Sequence, residues 1–131
     1  MTDRIATRVK EAVEAALDKK AIDLEVLHVA EITSLADYFV ICSGGTERQT
    51  GAIADAIEQR LREKLDTRPR MVEGISPGHW ILMDYGDFII HIFTEETRRF
   101  YALDHLWGDA PDVTEAISAG EAKKKRNARK K

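Results

Sequence analysis

Apolar residues recur at helical spacing over the first stretch of the chain. Ile5, Val9, Ala12, Val13, Ala16 and Leu17 fall three and four positions apart, which predicts an amphipathic helix from about Thr2 to Leu17. Lys19 and Lys20 follow at its C-terminal end, where cations suit the helix dipole. The segment from Ile22 to Val29 then reads as a strand, and Ile32 to Ala36 as an irregular link. Asp37-Tyr-Phe-Val-Ile-Cys42 is a nearly continuous apolar run, the signature of a strand covered on both faces. Ser43-Gly44-Gly45 breaks that run. Thr46, with Gln49 three residues later, matches a capping box. The helix it opens presents Ile53, Ala56, Ile57 and Leu61 on one side and ends near Lys64.

Beyond Pro69 the period changes to two. A short strand is expected at Met71 to Glu73, a loop at Gly74 to Gly78, and two strands at His79–Asp84 and Asp87–Phe93, joined by a tight Tyr85-Gly86 turn. Thr94 is placed to cap a last helix, with Glu95 and Glu96 in its first turn and Gly108 and Pro111 past its end near Trp107. Phe100, Leu103 and Leu106 form its expected buried stripe. The order α-β-β-α-β-β-β-α predicts an α/β domain, a mixed five-stranded sheet with flanking helices. The domain is expected over residues 1–111. Residues 112–131 are poor in large apolar side chains and become basic, which reads as a disordered C-terminal tail.

Composition narrows the setting. The 131 residues fit one domain with a small core. The single cysteine, Cys42, leaves no intramolecular disulfide and no Cys-rich metal site, as suits a reducing cytoplasmic location. Residues 1–20 are charged throughout and lack the apolar core of a secretory signal, and no run approaches a membrane span. The net charge of −3 conceals an asymmetry, because the last ten residues contribute +7 and leave −10 on residues 1–121. An acidic body favours a basic protein partner, and a basic tail favours polyanions, so the tail is a candidate for rRNA contact.

Catalytic patterns are weak. The Ser43-Gly44-Gly45-Thr46 turn runs from a strand into a helix N-terminus, a geometry able to hold phosphate, but no Lys-Ser/Thr pair follows as in a P-loop. A nucleotidyltransferase-like domain needs two metal-directed carboxylates on the next strand, and Met71-Val72-Glu73 carries only Glu73. Asp55 and Glu58 lie on the intervening helix. Ser43, His91 and Asp37 lack the elbow of a hydrolase triad. The histidines at 28, 79, 91 and 105 have no zinc-motif spacing. No catalytic residue, metal or cofactor is assigned. A nucleotide-binding or nucleotidyltransferase-like enzyme using Ser43 to Thr46 stands as the alternative.

The hairpin says more. With Tyr85-Gly86 as a two-residue turn, alternation puts Trp80 and Leu82 on one face with Ile89, His91 and Phe93, and makes Trp80 and His91 a directly opposed pair. Ile81 and Met83 share the other face with Phe88, Ile90 and Ile92. The second set is uniformly apolar and reads as core. The first is either an amphipathic contact surface with aromatic anchors or a second core face in which His91 is hydrogen-bonded.

Three segments together resemble the ribosomal silencing factor family (RsfS, also called Iojap-like). They are Ala36–Gln49, Glu73-Gly74 with Trp80–Asp87, and His91-Ile-Phe with Arg98–Trp107. The resemblance implies a nucleotidyltransferase-like fold without transferase activity. It implies a factor that binds ribosomal protein L14 of the large subunit, blocks 30S–50S joining, and represses translation, notably under nutrient limitation. Carried onto this chain, the L14-binding positions are Trp80, Asp84 and Tyr101, with Leu82, Glu73 and Arg98 as neighbours. Free copies pairing through the same face would make a homodimer. His28 stands where relatives often carry an acid, and the basic tail has no counterpart in many of them.

Overall fold

A computed structural model describes residues 3–101 and 110–117. The elements are α1 (Asp3–Asp18), β1 (Ile22–His28), β2 (Tyr38–Gly44), α2 (Glu47–Leu65), β3 (Met71–Glu73), β4 (Trp80–Asp84), β5 (Phe88–Thr94) and α3 (Glu95–Tyr101). The strands form one five-stranded mixed sheet in the order β1-β2-β5-β4-β3, with β2 parallel to β5 and the other pairs antiparallel. This is the α/β architecture and element order that the periodicity predicts.

Both long helices pack on one face. Val9, Ala12, Val13 and Ala16 of α1 and Ile53, Ile57 and Leu61 of α2 are buried against Val40, Cys42, Ile81, Met83, Ile90 and Ile92 of the sheet. Leu17 does not join them and is 51% exposed, while Ala15 is buried instead. On the Ala15 flank, the Arg60 guanidinium of α2 meets Glu11, Glu14 and Asp18 of α1 at 2.9, 2.9 and 3.0 Å. The buried arc of α1 therefore faces α2 along Ala15, with Leu17 outside it.

The α2 N-terminus is capped as expected, with a variation. The Gln49 amide donates to Thr46 Oγ1 at 3.1 Å, and Gln49 Oε1 accepts from the Gly45 amide at 2.7 Å. Gln49 Nε2 also donates to the carbonyls of Lys19 and Lys20, tying the α2 start to the chain leaving α1.

Two expectations are corrected. The hairpin loop is Gly86-Asp87, with Tyr85 N–H donating to the Phe88 carbonyl and Gly86 at φ +90. Glycine adopts that angle without strain, whereas Tyr85 at the first loop position would not. Trp80 therefore pairs with Phe93 and Leu82 with His91. A two-residue shift of register keeps every side chain on its expected face but moves His91 to a diagonal position.

The ordered unit also runs past Pro111. His28 N–H donates to the Pro111 carbonyl, Val113 N–H to Val26, and Val26 N–H to Thr114 Oγ1. Val113, just before a helical turn at 114–117, and Ile117 at its end pack against the main core. Residues 110–117 thus line the outer edge of β1, which would otherwise present unpaired backbone groups. The rest of the expected tail, 118–131, lies outside the described residues.

Candidate docking surface

The face of the sheet away from α1 and α2 carries a second apolar cluster. Leu27, Val29, Phe39, Ile41, Ile89 and Phe93 are buried there, with Trp80 and Leu82 packed at its margin. Trp80, Leu82 and Asp84 alternate out of β4 on this face, and each is half-buried. Opposite them, Glu73 pairs with Leu82 and Met71 with Asp84, so these two β3 side chains join the same surface. Both are exposed, as is Ile75 in the following loop. The result is an apolar strip of Trp80, Leu82 and Met71 flanked by the carboxylates of Glu73 and Asp84.

Trp80 is held from several sides. Its ring lies 4.9 Å from that of Phe93, and its indole Nε1 donates to His91 Nδ1 at 3.2 Å. Gly74, at φ +88, passes so close that a Cβ there would sit 2.0 Å from the Trp80 carbonyl oxygen. Only glycine fits that approach. At the far end of β4, Asp84 Oδ1 accepts from the Gly86 amide at 2.8 Å, which ties the strand end to the loop.

His91 is almost fully buried, and burial pushes its pKa down to about 4, so the imidazole is neutral at pH 7. Its Nε2 is buried without a hydrogen-bond partner among the described residues. An unsatisfied buried donor of this kind costs about 1–3 kcal/mol.

The structure separates the other expected positions. Arg98 does not belong to this surface. It is buried, with Nη1 donating to the Asp23 carbonyl at 2.7 Å and Ser43 Oγ at 3.0 Å, and Nη2 lies 3.8 Å from Glu25. A register shift in β1 with Asp23 at φ +50 accompanies this contact. Arg98 is therefore a clamp between α3 and β1–β2, because α3 is laid against the ends of β5 and β2 rather than beside β4. Phe100, expected in the α3 stripe, is 79% exposed for the same reason. Tyr101 is the last residue of α3, and its side chain lies outside the described residues, as do Leu103 and Leu106. His28 packs against Tyr38 at 5.0 Å between ring centres.

At the Ser43–Thr46 turn, the Gly45 amide serves Gln49, the Thr46 hydroxyl accepts from the Gln49 amide, and Ser43 Oγ accepts from Arg98. Among the described residues no group of three or more His, Cys, Asp or Glu could hold a metal ion. No described helix is long and apolar enough to cross a membrane.

The model of the family described as "Ribosomal silencing factor during starvation" matches residues 2–131. The chain belongs to the ribosomal silencing factor family. It is 39% identical over 102 residues to the ribosomal silencing factor of Halalkalibacterium halodurans, covering 78% of this chain and 86% of that one. The Bacillus subtilis ribosomal silencing factor is 39% identical over 103 residues, 79% of this chain and 86% of its own. A crystal structure of a Chromobacterium violaceum protein superposes with a TM-score of 0.75 at 31% identity, covering 78% of this chain and 84% of that one. Membership joins the five-stranded sheet to a family of ribosomal silencing factors.

The sequence carried signals for two features that pattern reading passed over. The i, i+4 pair Val113 and Ile117 is an apolar couple inside a polar stretch. Met71, on a strand too short to be covered, and Ile75, in the loop after it, are exposed apolar residues.

Proposed function

We propose that this protein is a non-catalytic antiassociation factor of the cytoplasm. It binds ribosomal protein L14 on the large subunit and blocks 30S–50S joining by its bulk, so that translation is repressed when nutrients are short. The observation that carries this reading is the strip of half-buried Trp80 and Leu82 edged by Glu73 and Asp84. Aromatic anchors set in a rim of acids suit a basic partner such as L14, and the −10 of the body steers the encounter. Tyr101 on α3 extends the contact, and the basic tail adds contact with rRNA phosphate.

Occlusion asks for affinity and position, with no bond made or broken. The phosphate-cradle reading of the Ser43–Thr46 turn is weakened by the internal use of its Gly45 amide and its two hydroxyls. Light scattering of purified 30S and 50S particles tests the proposal. Saturating protein is expected to suppress the rise in scattering on 70S formation, and an undiminished rise refutes it.

A further inference from the structure

His91 is an uneconomical choice of residue for the place it occupies. Phe39, Ile41, Ile89 and Phe93 on the same face are apolar and buried. The His91 ring is packed among them, edge-on to Phe39 at 5.0 Å and stacked on Phe93 at 6.2 Å. Its Nδ1 accepts the Trp80 indole proton. A neutral imidazole that accepts at Nδ1 carries its own proton on Nε2, and that donor is buried without a partner among the described residues. A phenylalanine would fill similar space with no orphaned donor, so packing does not account for a histidine here. What histidine adds is an acceptor aimed at Trp80.

We infer that His91 is a positioning residue of the docking surface: it accepts the Trp80 indole N–H and holds the ring in the orientation that the ribosomal partner meets. The inference rests on the docking reading proposed above. Gly74 confines the Trp80 main chain, Phe93 supports one side of the ring, and His91 sets its rotation. An anchor already held in its bound rotamer loses less freedom on association. Burial keeps the imidazole neutral, so the acceptor lone pair is present at pH 7.

The test uses the full chain labelled with 15N at its two tryptophans, with Trp80→Phe assigning the Trp80 indole signal. In His91→Phe the Trp80 indole proton is expected to exchange with water about three- to tenfold faster than in the wild type. The same variant should bind 50S particles about two- to tenfold more weakly, with a melting temperature equal to or above the wild type's. His91→Asn, whose Oδ1 takes the place of Nδ1, should recover the slow exchange and most of the affinity. If His91→Phe binds as the wild type does while Trp80→Ala has lost affinity, the positioning role is overturned and docking stands. Equal exchange rates in the wild type and His91→Phe overturn it as well. If Trp80→Ala binds undiminished, the docking reading falls, and this role falls with it.

Discussion

The two faces of the sheet are built to different standards. Under α1 and α2, Val40, Cys42, Ile81, Met83, Ile90 and Ile92 are at most 1% exposed and share one cluster with the apolar side chains of both helices. Burial raises the Cys42 thiol to about 12, which leaves it an inert packing group. The other face is closed over β2 and β5 but runs out of cover at β4 and β3. Trp80 and Leu82 are half-buried, Met71 is 43% exposed, and a histidine sits in the interior with a donor unpartnered among the described residues. One face supplies stability through complete burial. The other gives some of that up at the place where a partner can finish the burial.

Core truncation gives the largest expected effect. Ile57→Ala on the helix face should destabilise the fold by about 2–5 kcal/mol in urea titration and leave the affinity of the folded fraction for 50S particles unchanged. A loss in affinity greater than the loss in folded protein would show that the faces are coupled. Trp80→Ala is the mirror experiment. It should cost about 2–4 kcal/mol of binding in a 50S co-sedimentation assay, with the helix-face core intact.

Acid separates the faces next. His91 has a folded pKa near 4 against an ordinary 6.5. Between those values the unfolded chain binds more protons than the folded one, so this contribution is complete above about pH 6.5 and declines as the pH falls towards 4. The two pKa values correspond to roughly 3 kcal/mol over that window. His91→Phe removes this component, and urea midpoints at pH 7 and pH 4.5 should show the variant gaining on the wild type at the lower pH. A constant gap between the two proteins would mean that His91 is not buried in its neutral form.

Two charge effects come last. Glu73→Ala at the rim should change affinity by less than about 1 kcal/mol and act mainly on the association rate and its salt dependence, read by stopped-flow scattering. Truncation after Ile117 removes the basic tail while keeping the segment on β1, and should weaken 50S binding at low salt only. Equal salt slopes for the truncated and full chains would remove the tail from the interface.

Much of the fold is legible along the chain because its elements are strongly patterned. The stripe of α1, the double-sided apolar run of β2 and the Thr46 cap each report a local requirement that the sheet then meets. Site positions were legible in proportion to how local they are. Trp80, Leu82 and Asp84 share a face through strand alternation alone, and a two-residue change of register could not disturb that. Arg98 and Phe100 were not legible, because the direction of a helical side chain depends on where α3 is laid. Arg98 turns inward to a carbonyl in β1 and a hydroxyl in β2, 75 and 55 residues away in sequence.

By itself the sequence determined the element order, the two faces of the hairpin and the candidate strip on β4, since periods of two and 3.6 are properties of the backbone. Tertiary structure decided the rest. It chose Gly86-Asp87 as the loop, returned Val113 and Ile117 to the β1 edge, drew Arg98 into the interior, and set His91 beneath Trp80. Each of those outcomes depends on a contact between segments far apart in the chain, which no local period encodes. Trp80 took its place in the candidate surface, held and half-buried, only when Gly74, Phe93 and His91 were brought around it.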